Sequence, residues 1–224
     1  MNLKRVLAAS LVLGLASAWA AEPMTTKEEL REVFRQQGSA ARGARLFEAC
    51  TACHGREGNG KADESIPVIA QQHQRVIAKQ LVDYRHAERW DLQMETVAAR
   101  HKLGPARDLA DVAAYVSALQ RAPKPGTGDG KHLAVGAQVY ARDCASCHGT
   151  EGEGNGVTLV PRVAGQHYKY LLRQLHDTLE ERRPNMPPPH AQLLTPYGVD
   201  ELTGIADHLS RLTPSRHVLP RRQE

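Results

Sequence analysis

The chain has 224 residues, a formal net charge of +4 and an aromatic content of only 4%, with two Phe. That length suits one or two domains, and so mild a charge excludes nucleic acid as a partner, because such binding needs a strongly basic stripe. Small domains bury little apolar surface, so a chain this poor in aromatic side chains needs another source of core.

Residues 1–20 read as a signal peptide. Lys4 and Arg5 form a positive n-region, residues 6–15 an apolar run, and Ala18-Trp19-Ala20 a small-x-small cleavage site. The run is shorter than the roughly 20 apolar residues that cross a bilayer. The pattern predicts cleavage after Ala20, export to the periplasm and a mature chain without a transmembrane segment. Removing Lys4 and Arg5 from the 29 basic residues leaves 27 against 25 acidic ones. Within residues 21–38, Thr26-x-x-Glu29 resembles a capping box. Leu30, Val33, Phe34 and Gln37 follow at helical spacing, and Gly38 can end the run. We expect an extra helix over 27–37, packed on the domain that follows.

From there the chain is written twice. Cys50-Thr-Ala-Cys53-His54-Gly55 returns 94 residues later as Cys144-Ala-Ser-Cys147-His148-Gly149. The same offset carries Glu57-Gly58 to Glu151-Gly152, Pro67 to Pro161, Ala70 to Ala164, Gln72-His73 to Gln166-His167, Gln80-Leu81 to Gln174-Leu175, and Asp83 to Asp177. Repeats of this kind mark homologous domains, here 39–121 and 132–213. Pro123-Lys-Pro-Gly-Thr-Gly-Asp-Gly130 lacks apolar periodicity and places a linker at 122–131. Residues 214–224 read as a polar tail. Each repeat offers three main helices. The first carries Gly43 and Phe47, or Gly136 and Tyr140, on one face. The middle helix carries Val76, Ile77, Gln80, Leu81 and Tyr84, or Tyr170, Leu171, Gln174, Leu175 and Leu179. The last is expected to start at an Asp N-cap, Asp108 or Asp200, and continues with Leu109, Val112, Ala113 and Val116, or Leu202, Ile205, Ala206 and Leu209. No segment alternates as a strand does, so the fold class is all-α.

Cys-x-x-Cys-His is the attachment signature of c-type haem. Two thiols at this spacing reach both vinyl groups of one porphyrin, and the next residue sets an imidazole beneath the iron. Structural zinc pairs its two Cys-x-x-Cys units far closer together, and a thioredoxin-like pair needs a βαβ context. Export would favour disulfides, yet all four cysteines lie in motifs followed by His and Gly. The expected cofactors are therefore two haem c, held by Cys50, Cys53, Cys144 and Cys147. The porphyrins would also supply the missing core.

His54 and His148 are the expected proximal iron ligands. For the opposite side, Met94 follows His54 by 40 residues and Met186 follows His148 by 38, one thioether per repeat at similar distance. Met186 sits in the stiff Arg183-Pro-Asn-Met-Pro-Pro-Pro189 segment, and neither Met lies in an apolar helical stripe. His86 and His101 near the first site, and His176 and His190 near the second, are rival ligands. His73 and His167 recur at the repeat offset and suit a polar role at the pocket edge. Pro67 and Pro161 each lie 13 residues beyond the ligand His and can offer a carbonyl to its Nδ1–H. Gln80 and Gln174, with Arg89 and Arg182 or Arg183, are candidates to meet the haem propionates. No distal acid–base constellation stands out, so no catalytic residue is assigned.

These motifs resemble the dihaem cytochrome c4 family, over roughly 39–212. Besides the two haem motifs, Pro161-Arg-Val-Ala-Gly-Gln166 and Tyr170-Leu-Leu-Arg-Gln-Leu175 resemble its middle segment, and Asp108-Leu-Ala-Asp-Val-Ala-Ala-Tyr115 its C-terminal helix. The resemblance implies two small helical domains, each around one covalent haem with His/Met ligation, related by a pseudo-twofold axis. It implies an electron carrier rather than an enzyme, taking electrons from a quinol-oxidising complex or dehydrogenase of the respiratory chain and delivering them to a terminal oxidase. A cytochrome subunit of a periplasmic oxidoreductase complex is the alternative. Three departures stand out: Gln71 where the second repeat has Gly165, no prolines around Met94, and His208 opposite Tyr115.

Overall fold

The computed structural model describes residues 24–121 and 125–213, so the expected signal peptide, part of the linker and the polar tail lie outside the described residues. The chain begins with α1 (Thr26–Arg35), which packs on the first repeat through Val33, Leu30 and Phe34. Its capping box lies one residue earlier than the sequence pattern indicated. The Thr25 hydroxyl accepts from the Glu28 N–H, and the Glu28 carboxylate accepts from the Thr25 N–H. Glu29 turns inward instead and is fully buried. Its carboxylate accepts from Arg85 at 2.6 Å and Arg100 at 2.9 Å and lies 2.7 Å from His86 Nε2. A buried carboxylate persists only with such partners. His86, considered above as a rival iron ligand, is therefore committed to anchoring α1.

The first repeat continues with α2 (Ala40–Phe47), a tight turn at Glu48–Cys50, α3 (Thr51–His54), α4 (Gln74–Arg85), α5 (Leu92–Ala98), α6 (Arg100–Leu103) and α7 (Ala106–Ala118). The second has α8 (Leu133–Val139), a π-helical turn at Tyr140–Cys144, α9 (Ala145–His148), α10 (Tyr168–Leu179), α11 (Pro188–Leu194) and α12 (Val199–Arg211). Among the described residues there is no strand, only an isolated bridge between Asn155 and Val160, and no helix long and apolar enough to cross a membrane. The expected Asp N-caps are corrected: α7 is capped at Pro105 and α12 at Gly198. Asp108 and Asp200 lie within the first turns, where the positive end of the helix dipole favours acidic side chains.

Each repeat is built on one close helix crossing, α2 on α7 and α8 on α12. A Cβ at Gly43 would overlap the Asp111 carbonyl, and one at Gly136 would overlap Gly204. Above each crossing two rings meet: Phe47 and Tyr115 with centroids 5.2 Å apart, Tyr140 and His208 at 5.3 Å. His208 thus keeps the ring contact of the residue it replaces. The π-helical turn has a plain origin. Gly43 and Phe47 map to Gly136 and Tyr140 at an offset of 93, whereas Cys50 maps to Cys144 at 94. One residue has been inserted within a helix, and a wider turn absorbs it.

The two repeats are joined by reciprocal hydrogen bonds. Buried Gln72 donates to the Arg162 carbonyl at 2.9 Å and accepts from the Arg162 N–H at 2.9 Å. Its counterpart Gln166 donates to the Val68 carbonyl at 2.7 Å and accepts from the Val68 N–H at 2.9 Å. His73 Nε2 lies 2.8 Å from the Glu153 carbonyl, and His167 Nε2 lies 3.0 Å from that of Asn59. Val68 and Arg162, like Asn59 and Glu153, are themselves 94 residues apart, so the contacts obey a pseudo-twofold relation. His73 and His167 thus bridge the repeats rather than edge a pocket. The described part of the linker is fastened down: Gly126 N–H donates to His167 Nδ1, and Gly128 and Gly130 N–H donate to the buried Asp207 carboxylate.

Candidate haem centres

Both Cys-x-x-Cys-His motifs form a short helix, α3 or α9, closed by a glycine at positive φ, Gly55 at 73° and Gly149 at 83°. An L side chain resists that conformation, so glycine lets the chain leave directly after the histidine. No disulfide joins the four cysteines. Burial pushes the Cys50 and Cys144 thiols up to about 11, with the neighbouring Cys53 sulfur adding at the first and Asp143 at the second.

His54 Nδ1 lies 3.2 Å from the Pro67 carbonyl and His148 Nδ1 lies 3.0 Å from that of Pro161, as the sequence spacing indicated. A carbonyl only accepts, so Nδ1 carries the proton and Nε2 keeps its lone pair. Burial holds both imidazoles below the usual histidine range, more than these carbonyls raise them. Each is thus a neutral, oriented nitrogen donor.

One continuous cavity runs through both repeats. Its lining brings together His54 with Met94 and His148 with Met186, along with all four cysteines. Met94 lies in α5, which Asp91 caps by accepting from the Met94 N–H at 3.0 Å. Met186 lies in a turn, its N–H donating to the Arg183 carbonyl at 3.1 Å. Of the rival ligands, His190 alone lines the cavity; His86, His101 and His176 do not. The His190 ring stands 6.3 Å, centroid to centroid, from that of His148 at 74°. Burial, followed by His148 and Arg183, pushes its pKa down to about 4.

Where the repeats meet, the cavity is lined by Arg89 and Arg183, which are repeat equivalents, with Gln80 and Gln174. Arg89 donates to the Tyr170 hydroxyl and to Gln174, both at 2.7 Å, and also bonds Gln80. Asn185 donates to Asp83 across the junction at 2.7 Å. Arg183 has a buried Nε without a partner. Burial, then the charge of Arg89, pushes its guanidinium down to about 10. Buried cations need anions, and haem propionates fit these donors. Arg182 also borders the cavity, but its side chain is 52% exposed and pairs with Asp177 and Glu180. The sequence left Arg182 and Arg183 as alternatives; burial separates them.

Two helical units, each presenting a Cys-x-x-Cys-His motif to an apolar cavity, define a tandem c-type cytochrome. The family model for cytochrome c matches residues 40–120 and 133–210. Cytochrome c4 of Azotobacter vinelandii is 32% identical, over 66% of this chain and 76% of its own length. A thiosulfate dehydrogenase electron acceptor of Stutzerimonas stutzeri is 28% identical, over 80% of this chain and 90% of its own. The crystal structure of reduced recombinant cytochrome c4 from Pseudomonas stutzeri matches with a TM-score of 0.71 and 26% identity, covering 79% of this chain and 100% of that one. The chain belongs to the dihaem cytochrome c4 family. It accordingly carries two haem c and transfers electrons.

Proposed function

We propose that this is a periplasmic electron shuttle in which both irons are held by protein ligands on both faces. Its domains are 39–121 and 132–213, joined by 122–131. Cys50 and Cys53 hold the first haem by thioether bonds, with His54 and Met94 as axial ligands. Cys144 and Cys147 hold the second, with His148 and Met186. Haem c supplies an iron that cycles between two oxidation states. The Pro67 and Pro161 carbonyls fix the imidazole tautomers, and Arg89 and Arg183 balance propionate charge between the domains. The observation that carries this reading is one cavity that brings the motif histidine and a methionine of each repeat together, His54 with Met94 and His148 with Met186. A thioether is a soft ligand that favours the reduced iron and raises its potential, which suits delivery to a terminal oxidase from a quinol-oxidising complex or dehydrogenase.

Saturated irons cannot bind substrate. The reduced native protein at neutral pH is expected to leave carbon monoxide unbound at both haems, and a pyridine haemochrome assay should return two haems per chain. Stoichiometric carbon monoxide binding, or turnover with peroxide, would replace the carrier with an enzyme. The likeness to a thiosulfate dehydrogenase electron acceptor over 90% of that protein's length favours a second reading, a dedicated acceptor docked to a dehydrogenase. Reduction of this protein by thiosulfate only when such a dehydrogenase is present, with co-elution of the two, distinguishes that reading from a free shuttle.

A further inference from the structure

We propose that His190 is a second distal ligand for the iron of the second domain, able to take the sixth position when Met186 does not. This rests on the haem reading of the cavity and goes beyond it, since that reading assigns His190 no role. The geometry comes from the ring pair. A metal–nitrogen bond of about 2.0 Å and about 1.1 Å from nitrogen to ring centre, on both faces of one iron, set two axial imidazoles roughly 6.2 Å apart. The His148 and His190 centroids are 6.3 Å apart. His190 also lines the same cavity as Met186 and His148.

Local structure explains why the ring is held there. Pro187 caps α11 and Pro188 opens it, so the chain turns into a helix directly after Met186. The His190 N–H donates to the Pro187 carbonyl at 2.9 Å, tying it to that first turn. Leu194, one helical turn later, is buried in the same lining. His190 therefore belongs to a rigid element, whereas Met186 belongs to the turn before it. Its Nδ1 is buried without a hydrogen-bond partner, so that nitrogen does not explain the position of the ring as a structural contact. The first domain has no equivalent: His54 is the single histidine of that repeat in the lining.

The asymmetry sets the test, on the holoprotein with both haems attached. Met94→Ala and Met186→Ala are made separately. Each is expected to remove about half of the far-red absorption of thioether-bound ferric haem, which tests the Met reading alone. Met94→Ala should then leave an iron that turns high-spin and binds carbon monoxide one per chain. Met186→Ala should stay low-spin with the electron paramagnetic resonance signature of two imidazoles and bind no carbon monoxide. Met186→Ala with His190→Ala should restore binding to one per chain. Carbon monoxide binding by Met186→Ala alone, equal to that of Met94→Ala, overturns the proposal and leaves the Met reading intact. An unchanged far-red band in Met186→Ala, with a two-imidazole signal already in the unaltered protein, overturns the Met186 assignment and supports His190. Loss of haem from a variant is read by the haemochrome count, and Met186→Gln then replaces Met186→Ala in the same assay.

Discussion

At Gln71 the backbone has φ +58°, and its repeat partner Gly165 has +60°. The two N–H groups donate to equivalent helix ends, Gln71 to the Val116 carbonyl and Gly165 to that of Leu209. The turn is thus the same, but a Cβ in the left-handed region costs roughly 1–2 kcal/mol. Part of that is returned because glycine makes the unfolded chain freer. Gln71→Gly should therefore stabilise the first domain by about 0.5 kcal/mol, read as a higher midpoint in thermal unfolding, and Gly165→Gln should do the reverse in the second. Glu29 gives a pH-dependent case. Burial alone would raise its carboxyl, but the His86 and Arg85 hydrogen bonds, then the charges of Arg85 and Arg100, outweigh it and hold the folded value below the ordinary 4.5. Its stabilisation is complete above about 4.5 and is lost as pH falls through the lower folded value. Glu29→Gln should cost about 3 kcal/mol at pH 7 and remove this part of the acid sensitivity, measured by denaturant unfolding from pH 7 to pH 3. Such roles were unevenly legible in the sequence. Pro67 and Pro161 could be placed because their partner is local and the spacing repeats. Glu29 could not, since its three partners, Arg85, His86 and Arg100, lie in two segments far along the chain.

The helices α4, α7, α10 and α12 were readable because each has an apolar stripe at helical spacing, as with Leu109, Val112, Ala113 and Val116. In contrast, α5, α6 and α11 have four to seven residues and one buried side chain each. Periodicity carries no signal at that length, so Met94 read as part of an irregular stretch. The close crossings were half legible: Gly43 and Gly136 fell on the correct face, but which backbone they approach is a tertiary fact. Gly136→Ala would push its new methyl into Gly204. Helix backbones cannot yield as a side-chain tip does, so the expected loss is about 2–3 kcal/mol. Chemical denaturation followed at the second haem's absorption checks it. Gly43→Ala should act equally on the first domain, and an exposed control such as Ala141→Gly should not approach that loss.

Two domains were evident from the repeat, yet their mutual arrangement was not, because it depends on two glutamine amides meeting backbone groups. Gln72→Leu leaves the Arg162 N–H and carbonyl unpaired at the junction, and Gln166→Leu does so for Val68. Each change should cost about 1–3 kcal/mol, and the double variant should separate the unfolding of the two domains into two steps by calorimetry while keeping both haems. A single unchanged transition would show that other contacts hold the halves together. Reciprocal contacts, in which one residue meets a second whose own copy meets the first, are those of an isologous dimer. A true dimer of identical chains must accept every substitution twice. Covalent fusion lifts that obligation: Gln71 can differ from Gly165, Tyr115 from His208, and the segment after Met94 from the one after Met186, without disturbing the shared seam. The seam stays shared while the surroundings of the two haem motifs are free to diverge.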